Sequence, residues 1–219
     1  MELDRFAIII PTYNPTDKLE ILVKELKKRG FKNIIIVNDG SIDDTVLYKI
    51  KVFKILGHSF NMGKGKALKS GFEYAERLDV DGVITLDDDL QHAPSDIVKM
   101  SELFLKENGI YFGVRNFDKA PIIRRMANRL SSKIFNKIYN YDIEDTQCGL
   151  RIFPKNILFK LKNIKGDRFE YEMNQLKYLV VNGYEIKKVQ IETIYNGKSH
   201  FNGIIDSYKV IKNMFDKDV

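Results

Sequence analysis

Three consecutive aspartates, Asp87 to Asp89, end an apolar run in the stretch GVITLDDDLQHAP at residues 82–94. Adjacent ionised carboxylates raise each other's pKa unless a cation is present. If the segment is extended, alternate side chains point the same way, so Asp87 and Asp89 would face one ion while Asp88 points away. Gln91 would add a neutral oxygen ligand, and an all-oxygen set favours Mg²⁺ or Mn²⁺ over zinc. The alternative interpretation is a solvated acidic turn before the next helix.

Short apolar runs rich in β-branched residues indicate buried parallel strands, with helix-like segments between them. The runs are RFAIII (5–10), NIIIVN (33–38), VFKIL (52–56) and DGVITL (81–86). Residues 17–29 and 64–78 each place apolar side chains on one helical face. This order predicts an α/β fold with a doubly wound, mostly parallel central sheet flanked by helices.

Polar clusters follow three of these runs: PTYNP (11–15), NDGS (38–41) and DDDLQ (87–91). Because ligands of such sheets bind beyond the carboxyl ends of the strands, we expect the clusters to converge on one rim. Asp39 is suited to accept a hydrogen bond from a nucleobase, although a tight Asp-Gly turn explains it as well. The stretch NMGKGKALKSG (61–71) places Lys64 at a helix start, where phosphate oxygens bind. It lacks the P-loop spacing, and no dinucleotide-binding fingerprint follows the first strand.

Composition narrows the class of protein. The chain has 219 residues, 44% of them hydrophobic and 30% charged, which suits a single α/β domain. No apolar run approaches the roughly 18 residues that span a bilayer, and the opening MELDRFAIII lacks the basic start of a signal peptide. One cysteine, Cys148, excludes an internal disulfide and favours the reducing cytoplasm. The net charge of +6 favours an anionic partner.

Nine motifs, taken in order, resemble the family two glycosyltransferases with the GT-A fold. Within that family the chain is most similar to the branch that moves a sugar onto a polyprenyl or dolichyl phosphate. The match runs from about Ile8 to Phe201 through IIIPTYN, VNDGSIDDT, NMGKGKAL, LDDDLQH, FGVRN, RRMANRL, DTQCGLRIF, FEYEM and TIYNGKSHF.

The resemblance implies that the rim binds a nucleotide sugar, with Asp39 on the base. Asp87 and Asp89 match the D-x-D motif of the family, with Gln91 as a further metal ligand. Pro15 and Asn38 replace the residues usual in the family, so the donor is left open as UDP- or GDP-linked. The full expected donor-binding set is Pro11, Tyr13, Asn14, Asp39, Lys64, Asp87, Asp88 and Asp89.

The resemblance also implies an inverting reaction and names residues for the acceptor side. Arg115 and Arg124 match basic residues that contact the diphosphate or the acceptor phosphate, and Asp145 matches the carboxylate often proposed as catalytic. Glu172 matches a further family carboxylate on a helix. The candidate acceptor-binding residues are Arg125, Arg129 and Lys198.

The same resemblance implies a single glycosyltransferase domain with three parts. They are a nucleotide-sugar-binding half at about 5–115, an acceptor-binding half at about 116–203 and a C-terminal helix at 204–219. The transmembrane segments that follow this domain in many relatives are missing, so membrane attachment would come from elsewhere or from a membrane-protein partner. We expect a cytoplasmic protein, peripheral on the cytoplasmic membrane face, with no nucleic-acid partner.

Residues 122–138 carry two stripes at helical spacing. Their arrangement fits a basic amphipathic helix in a membrane interface, and equally a core-facing helix with a solvated basic face. The apolar stripe is Ile122, Met126, Leu130, Ile134 and Ile138, and the cationic stripe is Arg125, Arg129, Lys133 and Lys137.

The acceptor decides what catalysis requires. A sugar hydroxyl needs a general base, which would make Asp145 essential, whereas a phosphate monoester is already anionic and needs mainly positioning and charge neutralisation. A sugar-phosphate nucleotidyltransferase is a less favoured alternative, because PTYNPTDKL lacks the Gly- and Arg-rich loop typical of that class. A nucleic-acid binder is suggested by net charge alone.

Overall fold

A computed structural model describes residues 2–117, 122–192 and 194, without the side chains of Ile123 and Arg124. The predicted acceptor contact Lys198 and the helix expected at 204–219 lie outside the described residues. The strands are β1 (Phe6–Thr12), β2 (Asn33–Asn38), β3 (Lys54–Gly57), β4 (Gly82–Thr85), β5 (Ile110–Arg115), β6 (Arg151–Pro154) and β7 (Ile186–Ile191). The helices are α1 (Asp17–Lys28), α2 (Lys64–Ala75), α3 (Pro94–Lys106), α4 (Ile122–Tyr139), α5 (Leu158–Lys162) and α6 (Glu170–Val181).

The strands form one seven-stranded sheet in the order β3-β2-β1-β4-β6-β5-β7. Only β6 runs antiparallel to its neighbours among the described strands; β1 pairs in parallel with β2 and β4, and β5 with β7. The predicted fold class, a mostly parallel sheet with flanking helices, is confirmed. The expectation that the third apolar run is a buried strand is wrong, because β3 forms the sheet edge and Ile55 is exposed there.

Helices cover both faces of the sheet, and the alternation along β1 separates two cores. Ala7 and Ile9 pack in a cluster with residues of α2, α5 and α6. Phe6, Ile8 and Ile10 pack in the other cluster, with residues of α1 and α3. Every residue of β1 is therefore buried, which fixes the position of the loop that follows it.

Close packing also fixes α2 against β1. A Cβ at Gly71 would lie 2.4 Å from Cγ2 of Ile9, so only glycine allows this approach. The first helical residue of α2, Lys64, is thereby held at the rim. In the part of the chain that the structure describes, no helix has the length and apolarity to cross a membrane.

Cys148 lies in the core between the sheet and the helices α1 and α3, with no exposed surface. Burial, reinforced by the nearby Asp145 carboxylate, raises the pKa of its thiol to about 12. Because the thiolate is the reactive form, we expect Cys148 to resist a thiol reagent such as Ellman's reagent at neutral pH and to react fully once guanidinium unfolds the protein. Rapid labelling of the native protein would contradict the packing described here.

Candidate functional site

The loops after β1 and β2 are joined at the rim. Asn14 adopts a left-handed backbone with φ of 51°, donates its N–H to Ser41 Oγ at 2.9 Å and accepts from the Ile42 N–H at 2.9 Å. Tyr13 beside it is exposed, whereas Pro11 is buried within β1. The clusters PTYNP and NDGS therefore meet, as expected from the order of the strands.

Asp39 is a buried anchor for the loop that leads into α2. Its carboxylate accepts hydrogen bonds from the N–H groups of Met62 at 2.9 Å and Gly63 at 2.7 Å, and Nδ1 of His58 lies 2.7 Å from Oδ1. Nε2 of His58 lies 2.9 Å from Ser70 Oγ on α2. The contacts of Asp39 are thus within the protein, and its contact with a nucleobase stays a prediction.

Gly63 shows why this loop has its sequence. Its φ of 102° lies in the region that favours glycine, and a Cβ there would lie 2.4 Å from the backbone oxygen of Asp167. The anchored turn directs the first residue of α2, Lys64, toward the aspartates after β4.

Lys64 forms a bridge between two carboxylates from distant parts of the chain. Its Nζ lies 2.6 Å from Asp87 Oδ1 and 2.7 Å from Glu172 Oε2 on α6, and its side chain is 17% exposed. Burial opposes the charge of Lys64, but Asp87 and Glu172 outweigh it and raise the pKa of the ammonium. Burial likewise opposes ionisation of Asp87, but Lys64 and His92 hold the pKa of that carboxyl well below its usual range.

The other oxygen of Asp87 is closely confined. A Cβ on Gly149 would lie 2.5 Å from Asp87 Oδ2, so a larger residue there would displace this carboxylate. His92 Nε2 is 3.6 Å from the same oxygen, and both ring nitrogens of His92 are buried without a hydrogen-bond partner among the described residues.

The segment 87–91 is a turn, so the expectation of an extended segment with alternating side chains is wrong. Leu90 has a left-handed φ of 60°, and the Gln91 N–H donates to Asp89 Oδ1 at 3.0 Å. Asp88 is held at the end of β1, where it accepts a hydrogen bond from the Thr12 hydroxyl. The local hydrogen bond of the Asp89 side chain supports the turn, whereas Asp87 and Asp88 contact Lys64 and Thr12 from other parts of the chain.

The residues of this turn fit a divalent cation by their chemistry. Burial, and then repulsion from Asp87, raise the pKa of Asp89, so a cation would relieve a real electrostatic cost. Asp87, Asp89 and Gln91 offer oxygen ligands only, as Mg²⁺ and Mn²⁺ prefer. Within the described ranges, however, no group of three or more acidic, histidine or cysteine side chains is close enough together to hold a metal ion.

Arg115 and Asp145 form a second charge pair at the far side of the rim. Arg115 Nε and Nη2 donate to the two carboxylate oxygens at 2.7 and 3.0 Å, and the backbone N–H groups of Arg115 and Gln147 also donate to Asp145. The Asp145 side chain has 0% exposure. Burial opposes the charge of Arg115, but Asp145 outweighs it and raises the guanidinium pKa. Asp145 therefore holds Arg115 in place.

Helix α4 is attached to the Asp145 loop through polar side chains. Asn128 and Ser132 both donate to the backbone oxygen of Glu144, at 3.1 and 2.9 Å, and Ser131 Oγ lies 2.8 Å from Thr146 Oγ1. One turn on, Asn136 exchanges two hydrogen bonds with the backbone of Ile143. The buried face of α4 is thus mainly polar.

The apolar stripe of α4 faces away from the core for most of its length. Ile122, Met126, Leu130 and Ile138 are exposed, and Ile134 alone of the stripe packs partly against the core. Arg129, Lys133 and Lys137 are exposed on the same helix, and Arg125 is half-buried. The interpretation of this stripe as core-facing is therefore wrong; the position of the Arg124 side chain lies outside the described residues.

Sequence reasoning missed Arg151, which lies fully buried beneath the rim. Its guanidinium stacks 4.3 Å from the Phe112 ring and donates to the backbone oxygens of Cys148 and Glu172 and to Gln175 Oε1. Burial lowers its pKa. In the sequence it only begins the apolar run RIF, and nothing local distinguishes it from a surface arginine.

This chain is similar in sequence to known glycosyltransferases. The family model Glycosyl transferase family 2 matches residues 7–162. The UDP-N-acetylglucosamine--dolichyl-phosphate N-acetylglucosaminyltransferase of Methanococcus voltae is 31% identical over 90% of this chain and 88% of its own. The dolichyl-phosphate beta-glucosyltransferase of Saccharomyces cerevisiae is 27% identical over 95% of this chain and 72% of its own.

Among solved structures, glucosyl-3-phosphoglycerate synthase from Mycobacterium tuberculosis, in complex with Mn²⁺, UDP and phosphoglyceric acid, is similar in fold. Its TM-score is 0.74 at 13% identity, and the match covers 95% of this chain and 76% of that one. The likeness confirms the predicted GT-A fold.

We expect Asp145→Asn to destabilise the protein by about 3 kcal/mol, because it leaves the mostly buried Arg115 guanidinium without its counter-charge. Urea unfolding followed by circular dichroism measures the change. Asp142→Asn is the matched control: it breaks an ion pair with Lys188 whose Asp142 side chain is 84% exposed, so stability should hardly change. Equal effects of the two substitutions would contradict a structural role for the Arg115 pair.

Proposed function

The chain belongs to glycosyl transferase family 2, and from that premise we propose that it transfers a sugar from a nucleotide sugar to a polyprenyl phosphate at a membrane surface. Relatives that match most of this chain are named for dolichyl phosphate or undecaprenyl phosphate, which supports a lipid phosphate of this type. The closest variant in the same class is transfer to a saccharide hydroxyl.

In this proposal the half at about 5–115 binds the nucleotide-sugar donor. The nucleotide would lie on the joined loops around Tyr13 and Asn14, and its diphosphate at the start of α2 and the turn 87–91. Asp87, Asp89 and Gln91 would hold Mg²⁺ or Mn²⁺, which supplies a Lewis acid for the developing charge of the leaving nucleoside diphosphate. The structural neighbour with bound Mn²⁺ and UDP supports this assignment. The donor is UDP- or GDP-linked, and inversion would give a β-linked product from an α-linked sugar.

The main support for a lipid acceptor is the apolar face of α4, which points outward. A helix of a soluble domain normally turns its apolar stripe to the core and its polar face to water. In α4 the polar side chains are buried in hydrogen bonds, while Met126 and Leu130 are exposed beside Arg129 and Lys133. Exposed apolar side chains bordered by cations suit the interface of an anionic membrane.

The state of Asp145 also favours a phosphate acceptor. Four donors engage its carboxylate and none of its side chain is exposed, so it is poorly disposed to take a proton from a hydroxyl. A phosphate monoester needs no such base, and Arg115 would provide charge neutralisation. In this proposal Asp145 is a positioning residue for Arg115, and Arg124, Arg125, Arg129 and Lys198 remain candidate contacts of the acceptor phosphate in the half at about 116–203.

A pair of acceptors that differ only in the phosphate tests this function. With Mn²⁺ and a panel of UDP- and GDP-linked sugars, we expect transfer to a short-chain polyprenyl phosphate and none to the matching polyprenol or to a free saccharide. Product is measured by mass spectrometry. Transfer to saccharide hydroxyls would establish the variant function, and pyrophosphate release from a nucleoside triphosphate would establish a nucleotidyltransferase instead.

Vesicle flotation tests the membrane surface. We expect binding to vesicles rich in phosphatidylglycerol, weak binding to phosphatidylcholine alone, and a several-fold loss on Leu130→Ser. Ile21→Ser on α1 is the matched control, because Ile21 is 50% exposed and Leu130 is 53% exposed. Equal loss from both substitutions would contradict a lipid surface. Absence of binding to anionic vesicles would also contradict it, and would favour a membrane-protein partner for α4.

A further inference from the structure

One ammonium group serves two carboxylates at the centre of the rim. Lys64 Nζ contacts Asp87 Oδ1 at 2.6 Å and Glu172 Oε2 at 2.7 Å, while Glu172 Oε1 is buried with no hydrogen-bond partner among the described residues. The three side chains together carry a net negative charge, and the site is only partly neutralised. Asp87 is also one of the residues that would hold the divalent cation, so Lys64 already contacts a proposed metal ligand.

We propose that Lys64 occupies Asp87 in the ligand-free protein and is drawn off by the donor diphosphate, so that the divalent cation and the nucleotide bind together and neither binds well alone. This inference rests on the proposed function and adds to it that binding of the cation and binding of the nucleotide depend on each other. Glu172, which the donor-site residues expected from the sequence did not include, is the fixed counter-charge that keeps Lys64 in place.

Charge repulsion is the physical reason for this mutual dependence. A divalent cation that enters alone must approach an oxygen already in contact with an ammonium group, and like charges a few ångströms apart repel strongly near a protein surface. The diphosphate of a nucleotide offers Lys64 other acceptors and adds ligands for the metal. Each ligand thereby removes the obstacle to the other.

The backbone at both ends of the bridge is fixed, so only the lysine stem has freedom to move. Lys64 is the first residue of α2, and the turn before it is held by the hydrogen bonds of Gly63 and Met62 to Asp39. At the other end, the backbone oxygen of Glu172 accepts from Arg151 Nη1 at 2.8 Å. A flexible four-carbon stem on an anchored residue can swing between a carboxylate and a phosphate.

The test measures Mn²⁺ binding without nucleotide, by electron paramagnetic resonance of the free ion. We expect weak binding by the unaltered protein and binding tighter by about tenfold or more in Lys64→Met, because the competing charge is gone. The same substitution should weaken binding of UDP or GDP measured by calorimetry with Mn²⁺ present. Lys69→Met is the matched control: Lys69 lies further along α2, is 15% exposed and pairs with Asp167 at 2.9 Å, so its loss should alter neither affinity.

Opposite changes in the two affinities distinguish this mechanism from a merely structural ion pair. Lys64→Met with unchanged or weaker Mn²⁺ binding would overturn the inference, even if the protein still binds Mn²⁺ and nucleotide together. If Lys64→Met fails to fold, Glu172→Gln provides an independent test. Of the two carboxylates that Lys64 contacts, this substitution leaves only Asp87 charged, so Lys64 should hold Asp87 more strongly. Binding of Mn²⁺ in the absence of nucleotide should then weaken, whereas tighter binding would overturn the inference. An unaltered protein that binds neither UDP nor GDP with Mn²⁺ would overturn the proposed function as well.

Discussion

A carboxylate that is removed from water must meet a cation or several hydrogen-bond donors, and this requirement organises the rim of the sheet. Asp87 meets Lys64, which also meets Glu172, and Asp145 meets Arg115. Each pair joins parts of the chain that are far apart in sequence: the start of α2 to the turn after β4 and to α6, and the end of β5 to the loop before β6. The charges that would handle a phosphate-rich substrate therefore also fix the relative positions of the elements that carry them.

The acceptor side is built on a different physical basis. Helix α4 is held mainly by hydrogen bonds from Asn128, Ser132 and Asn136, with Phe135 as its fully buried aromatic contact. Because polar side chains do this work, the remaining apolar residues of the helix are free to face outward. The loop that α4 holds contains Asp145, so the candidate membrane surface and the Arg115 pair belong to one connected part of the structure.

Local periodicity was sufficient to predict the strands β1 to β4 and the helices α1, α2 and α4, and the order of these strands predicted the convergence of three polar loops. It could not predict features that depend on distant partners. The edge position of β3 depends on strand order, and the engagement of Asp145 by Arg115 depends on β5 and the loop before β6 lying side by side. The turn at Leu90 is accompanied by a hydrogen bond within the acidic segment, and the close approach of Asp87 to Gly149 joins residues more than 60 positions apart. Arg151 gave no local signal because its acceptors are mostly backbone oxygens.

Backbone acceptors also determine what can change during evolution at the loop beneath α4. Asn128 and Ser132 bind the carbonyl of Glu144, and Asn136 binds the carbonyl and N–H of Ile143. Carbonyl and N–H groups are present whatever side chain occupies those positions. Substitutions at Glu144, whose side chain is exposed, can therefore accumulate without loosening the helix. The loop can therefore change its outer side chains and still hold Asp145 against Arg115.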